Sequence, residues 1–408
     1  MKIAIVSKSD RIGGGASRVA EDLAIWLNES GYRADHFIAF GNKEPYPFQK
    51  SLYGEELTKK ICHKAHFLTN KFGFKELLPV EYWLNLKYHL KNYDIIHFHD
   101  LFMSISPLTL ALVAQKKPTF FTVHDYSPFT GGCLYPSGCE KFASHCYQCP
   151  QLSQVGWKNK IRDRTKEIQS IKKWLAHQFP IQYIFPSSWI AQEAQKALDY
   201  KIAPQVIYHG LDLSVFSSQT KSEAKQSLNI PEDRLVVVVT AHFLQDPRKG
   251  IKFALAALQS VSDLNPLVLL VGFADEELRN SLAGLEVKEM GFIAQPKDLA
   301  QAYLAADIML FCSLEEIFGL TVIEAMASST IVIGFATGGV PEIIQTGRNG
   351  VLVEPRNQEA LNQALRQTML SNRIGEMARQ ARIDVENNFS KSKFLENHLQ
   401  IYQKSLNK

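Results

Sequence analysis

Two carboxylates, Glu316 and Glu324, flank Phe318-Gly319 with seven residues between them, in the segment Ser313-Leu-Glu-Glu-Ile-Phe-Gly-Leu-Thr-Val-Ile-Glu-Ala-Met-Ala. An ionised carboxylate only accepts hydrogen bonds, and its two oxygens can take hydroxyl donors. At this spacing one carboxylate falls in the turn before a helix and the other in its second turn. That suits a long ligand rich in hydroxyls; a solvated helix start is the plainer alternative. Downstream, Thr337-Gly-Gly-Val-Pro-Glu342 reads as a second glycine turn with Pro at a helix start.

Other residue groups invite chemistry less directly. Gly13-Gly14-Gly15 follows the first apolar run and precedes a helical pattern. Glycines there let the backbone N–H groups of Gly14 and Gly15 approach an anion at a helix N-terminus, or they serve only as a permissive turn. The dinucleotide fingerprint is excluded, because Arg18 stands where its third glycine belongs and no acidic residue closes the second strand. His97 and His99 share one face of a strand, and packing is preferred there over a metal pair. Four of the six cysteines, Cys133, Cys139, Cys146 and Cys149, fall in a seventeen-residue window. Only Cys146-x2-Cys149 has a common zinc spacing. A structural zinc held by all four is the expected arrangement, since a loop poor in apolar residues needs a cross-link; two disulfides or four free thiols are the alternatives.

The elements that must position these residues alternate strand and helix. Strands are predicted at Lys2–Ser7, Ala34–Phe40, Ile95–His99, Thr119–His124, Ile181–Pro186 and Gln205–His209. Leu213–Arg234 is polar and reads as a linker. The pattern restarts with the run Leu235–Val239, apolar on every side as a doubly covered parallel strand should be. Strands at Leu267–Val271, Glu286–Gly291, Ile308–Cys312 and Thr330–Gly334 follow. Helical spacing of Phe394, Leu395, His398, Leu399 and Tyr402 predicts a final amphipathic helix with Ser390 as N-cap. Such alternation implies an α/β protein with doubly wound parallel sheets, and 408 residues imply two domains.

Charge is uneven. Residues 49–92 hold eight Lys against four Glu, and residues 156–174 hold seven Lys or Arg against two acids. In the first stretch Lys alternates with Phe67, Phe72, Phe74, Tyr82 and Trp83, a composition suited to an anionic bilayer surface. No nucleic-acid-binding motif accompanies the basic residues, so no nucleic-acid partner is expected. The start, MKIAIVSKSD, has too short an apolar run for a signal peptide and reads as a strand. A cytoplasmic location, peripheral on the inner face of the membrane, is the expectation.

The segment around Glu316 and Glu324 resembles the donor-site signature of glycosyltransferase family 4, the retaining group with the GT-B fold, and the resemblance runs along nearly the whole chain. It implies two Rossmann-like doubly wound domains with a cleft between them. An acceptor-binding domain would span residues 1–213 and a nucleotide-sugar-binding domain residues 214–386, with the helix over 387–408 crossing back onto the first. It also implies that Glu316 contacts the donor sugar and Glu324 the ribose, beside Phe318 and Gly319. Gly291-Phe292-Ile293 resembles the strand end whose backbone reads the nucleobase, so Phe292 and Ile293 join the donor site. Asp246-Pro-Arg-Lys-Gly250 resembles the diphosphate clamp, in which Arg248 and Lys249 would stabilise charge on the leaving group. Val123-His124-Asp125 resembles the turn bearing the active-site His, here His124. Two departures stand out: Ala241–Gln245 lacks the further Arg many relatives carry, and His209 replaces their Asn.

The expected reaction is transfer of a sugar from a UDP- or GDP-sugar to a hydroxyl of a saccharide or lipid-linked saccharide, with retention and without a catalytic metal, in polysaccharide assembly resembling that of bacteria. A nucleotide-sugar epimerase of the same fold and a non-catalytic scaffold are the competing readings.

Overall fold

The computed structural model describes residues 1–41, 46–154, 163–216 and 219–407. Lys158, Lys160 and Arg162 of the second basic stretch, and Ser217 and Ser218 of the expected linker, lie outside them. The chain divides into two compact units, Met1–Ile207 with Leu395–Lys408, and Tyr208–Phe394.

In the first unit, strands β1 (Lys2–Ser9), β2 (Arg33–Phe40), β3 (Gln49–Ser51), β4 (Ile95–Phe98), β5 (Thr119–Thr122), β6 (Ile181–Phe185) and β7 (Gln205–Val206) form one sheet in the order β3-β2-β1-β4-β5-β6-β7. Every pairing is parallel. Ile3, Ala4, Ile5 and Val6 are fully buried, as a central strand covered on both faces requires. The helix Gly15–Glu29 covers one side through Val19, Ala20, Leu23 and Leu27.

In the second unit, β8 (Val236–Phe243), β9 (Leu267–Phe273), β10 (Glu286–Gly291), β11 (Ile308–Phe311), β12 (Ile331–Phe335) and β13 (Gly350–Val353) form a parallel sheet ordered β10-β9-β8-β11-β12-β13. The valine run separates two core layers: Val236 and Val238 face one, Val237 and Val239 the other. Burying each such side chain stabilises the fold by about 1.5–3 kcal/mol.

In both sheets the order in which strands are added reverses beside the first strand, between β1 and β4 and between β8 and β11. The crevice outside the carboxyl ends of strands at such a reversal is where open α/β sheets bind ligands.

The polar stretch expected as a linker is part of the second unit. Thr220 and Glu223 close a capping box on the helix Lys221–Ser227. Lys225 is buried, with its Nζ on Glu232 O at 3.0 Å, Arg234 O at 2.7 Å and Asp307 Oδ2 at 3.4 Å. The last helix, Lys391–Leu406, leaves the second unit at Phe394 and continues in the first. The Lys393 N–H donates to Ser390 Oγ at 3.4 Å, and Phe394, Leu395, His398 and Tyr402 are buried along one side.

Candidate active site

At the reversal of the second sheet, the loop after β8 meets the loop after β11. Asp246 starts a single turn, Pro247–Lys249, by accepting the Arg248 N–H at 3.0 Å. Gly250 then takes φ +60°, and a Cβ there would lie 2.1 Å from Cys312 O. Only glycine lets this loop sit so close to the end of β11. Arg248 O accepts from Leu314 N at 2.7 Å, closing the contact. The result is an ion pair, Lys249 Nζ to Glu316 Oε2 at 3.3 Å. A Cβ on Gly338 would stand 1.6 Å from Glu316 O, so the glycine turn after β12 fixes the same backbone from its other side.

The two adjacent cations part company. Lys249 reaches Glu316, whereas Arg248 folds onto its own Asp246 through Nη2–Oδ2 at 2.6 Å and Nε–Oδ1 at 3.2 Å. Gly319 caps the helix Leu320–Ala327 at φ 109°. Within that helix Glu324 is buried, and its Oε2 accepts from Tyr303 Oη at 3.5 Å. Phe318 is buried rather than presented to solvent, stacked on Tyr208 at 6.0 Å and met edge-on by His209 at 5.1 Å. It therefore anchors the turn between the carboxylates. Beside this turn the buried hydroxyl of Thr337 has no hydrogen-bond partner among the described residues.

Phe292 is 44% exposed and stacks on Phe273 at 5.1 Å, while Ile293 packs against the core. Phe243 stacks on Phe273 at 5.7 Å, and His242 lies 4.6 Å from Phe292. An aromatic cluster thus spans the carboxyl ends of β8, β9 and β10. The stretch 241–245, which lacks the further Arg, contributes Phe243 to a stack with Phe273 and Phe292. Their only signal was an aromatic residue at the end of each strand.

In the first unit, Gly14 adopts φ 105° and opens the helix Gly15–Glu29, with Asp10 accepting the Ile12 N–H at 3.1 Å. Strand β5 ends before His124, whose Nε2 lies 3.0 Å from His99 Nδ1. His97 uses both ring nitrogens, Nδ1 on Tyr402 Oη at 2.5 Å and Nε2 on Thr122 Oγ1 at 2.8 Å. Burial pushes His124 down to about 3 and holds His97 and His99 well below the ordinary histidine range. Burial also raises Asp125 to about 6, although its carboxylate accepts the Ser127 N–H.

Cys133, Cys139, Cys146 and Cys149 line one cavity and form no disulfide. They are not drawn together into the expected zinc tetrad: among the described residues, no three of His, Cys, Asp or Glu are grouped to hold a metal ion. Cross-linking is supplied otherwise. Tyr126, Phe129 and Phe142 form an aromatic core under the loop. Buried Gln169 gives its amide N–H to Phe129 O and Phe142 O, at 3.2 and 2.6 Å, and takes the Cys146 N–H at 2.8 Å. Lys172 Nζ donates to Ser127 O and Thr130 O, and Cys146 Sγ accepts from Gly131 N at 3.2 Å.

Comparison with known proteins adds to this geometry. Residues 13–215 match the family described as Glycosyltransferase Family 4, and residues 220–384 match Glycosyl transferases group 1. The chain is 24% identical over 379 residues to an uncharacterized glycosyltransferase of Methanocaldococcus jannaschii, spanning 88% of this chain and 87% of that protein. It is 27% identical over 206 residues to N-acetyl-alpha-D-glucosaminyl L-malate synthase of Bacillus anthracis, 48% of this chain and 53% of that one. The latter match covers about half of the relative's length. Among solved structures, sucrose-phosphate synthase from Thermosynechococcus elongatus is similar with a TM-score of 0.73 at 21% identity, over 99% of this chain and 98% of that one. HepE of Anabaena in complex with UDP-glucose has a TM-score of 0.66 at 19% identity, over 99% and 100%. These two likenesses speak to the fold, a pair of Rossmann-like units of the GT-B type.

Proposed function

Because this chain belongs to glycosyltransferase family 4, we propose that it moves a sugar from a nucleotide-sugar donor to a hydroxyl acceptor with retention of the anomeric configuration. The observation that carries the reading is the pairing of Lys249 with Glu316 at the sheet reversal, with Glu324 buried one helix turn beyond. In this reading Glu316 takes hydroxyls of the donor sugar, Glu324 those of the ribose, and Lys249 with Arg248 the diphosphate. In the first unit, Gly14, Gly15 and His124 are the residues this reading assigns to the reaction. The structure of HepE with UDP-glucose favours a uridine donor by analogy. Cations at the diphosphate replace a divalent metal, so activity is expected to survive EDTA.

A screen of UDP-, GDP- and ADP-sugars by thermal stability tests the donor. A donor at a hundred times its dissociation constant adds about 2.7 kcal/mol. Absence of stabilisation by every nucleotide sugar would retire the reading. Product analysis separates transfer from epimerisation of the donor.

The acceptor in this reading is a saccharide or lipid-linked saccharide at a membrane surface on the cytoplasmic side. Support comes from the helix Glu56–Lys71, which buries only Cys62 and His66 among its residues. It leaves Leu57, Ile61, Phe67 and Leu68 exposed beside Lys60 and Lys64, and Phe72 and Trp83 are exposed nearby, whereas Tyr82 is buried. Among the described residues no helix is long and apolar enough to cross a membrane. In this reading Cys133, Cys139, Cys146 and Cys149, which line one cavity, hold a structural zinc. About one zinc per chain by elemental analysis, as four ligands to one ion imply, would support it; four titratable thiols without metal would retire it.

A further inference from the structure

The histidines at the reversal of the first sheet form a polar layer, buried at His97 and His99 and half-buried at His124, that transfer chemistry alone does not explain. His99 closes β4 and is fully buried. Its Nδ1 lies 3.0 Å from His124 Nε2, and its own Nε2 has no partner among the described residues. The rings of His97 and His99 lie 4.3 Å apart, and those of His99 and His124 stack at 5.2 Å. His36 Nε2, Tyr402 Oη, Thr122 Oγ1 and His398 complete the layer, and His36 is occupied by Ser7 Oγ at 2.8 Å.

Burial disfavours the charged form of both His99 and His124, so two neutral imidazoles face one another. Each carries one N–H, and the contact between them needs one donor and one acceptor. If His124 donated from Nε2, the proton of His99 would sit on its own Nε2 as a buried, orphaned N–H. If His99 donates from Nδ1, the orphan is a lone pair instead. Among buried backbone groups an orphaned N–H is rarer than an under-satisfied acceptor, and the same preference applied to the imidazoles selects the second arrangement. We propose that His99 is a positioning residue: its Nδ1–H donates to His124 Nε2 and so holds the proton of His124 on Nδ1. Any group that meets Nδ1 of His124 then receives a hydrogen bond, and Nε2 is not available as a base. This rests on the reading of His124 as part of the transfer site, but the tautomer itself is measurable without turnover.

The test uses the whole chain labelled with 15N-histidine. Two-bond proton–nitrogen spectra should show His124 protonated on Nδ1. An asparagine amide reproduces the position of Nδ1 in histidine, and a glutamine amide that of Nε2. His99→Asn should therefore keep the His124 tautomer and most of the turnover. His99→Gln and His99→Leu should lose both, with kcat down about tenfold, the scale of one lost hydrogen bond, and nucleotide affinity unchanged. Should His99→Leu fail to fold, the contrast between Asn and Gln still decides. A parent His124 protonated on Nε2, or equal turnover for the Asn and Gln variants, would overturn the proposal. A chain that binds no nucleotide sugar yet shows the Nδ1 tautomer would remove the transfer reading and leave the positioning of His124 standing.

Discussion

Glu316 is held by an ion pair at its carboxylate and by close glycine contact at its backbone. Replacing it with Ala should leave the fold intact and cut turnover on the order of a hundredfold, the scale of loss when a group that positions the substrate is removed. Steady-state kinetics beside circular dichroism checks this. Glu324→Ala should act differently, weakening nucleotide binding by roughly 1.5–3 kcal/mol through lost hydrogen bonds to a charged group, as titration calorimetry would read. Parent rates in both variants would end the assignment of the donor site. Much at this scale was legible beforehand, because Glu316, Glu324 and Lys249 are polar groups at fixed spacing on a short motif. The burial of Phe318 and the turning of Arg248 onto Asp246 were not, since each depends on neighbours remote in the chain or on a rotamer. His99 drew attention only as a neighbour of His97; its contact with His124 needs two strands placed side by side.

Among the elements, the loop Asp246–Gly250 carries the tightest demand. Gly250→Ala adds a methyl 2.1 Å from Cys312 O at a φ of +60°. The strain of a non-glycine residue there costs about 1–3 kcal/mol, and the loop must retreat from β11, taking Lys249 from Glu316. A lowered unfolding midpoint together with reduced turnover is expected; a parent-like rate would show that the close approach is dispensable. The exposed basic helix makes a second prediction. Charge reversal at Lys59, Lys60 and Lys64 should reduce binding to vesicles of anionic lipid, and salt should do the same to the parent. No binding of the parent at low salt would sink the membrane reading. The strands were read well where they are long and apolar. The short strands β3 and β13 escaped because Gln49–Ser51 is polar and Gly350–Val353 opens on glycine. The helix Lys221–Ser227 escaped although Thr220 and Glu223 stand at capping-box spacing, because its polar surface masked a buried lysine. The cysteine loop was read from its thiols, while Gln169 and Lys172, from a helix outside it, hold its shape.

For the molecule as a whole, acid should be costly. His36 has its affinity for protons lowered by burial to about 3, from an ordinary value of 6.5. The unfolded chain takes up that proton below about 6.5 and the folded chain does not until about 3, so stability is lost as pH falls through this window. Glu81, raised by burial to about 7, works in the opposite direction. The single-site effect is therefore best read by difference. His36→Gln keeps an amide near Ser7 Oγ and removes the titration, so unfolding free energy between pH 6 and 4.5 should fall less steeply, by about 1.4 kcal/mol per pH unit. Identical slopes in urea unfolding at several pH values would refute it.

The second unit is one uninterrupted stretch whose ends bind each other: Leu211 N donates to Phe389 O at 2.8 Å, and Lys391 N returns the bond to Leu211 O at 2.8 Å. The first unit is interrupted, and it recovers His398 and Tyr402 only after that stretch has been made. During synthesis, then, the nascent chain carries a first sheet that has all its strands but lacks its last helix through the ribosome's whole passage over residues 208–394. His97 and Phe120, which pack on Tyr402, wait uncovered for that interval. The later-made unit can close its ends first, and the earlier-made one is finished last, so a chain stalled before residue 395 should be recognised by chaperones or proteases through its first half.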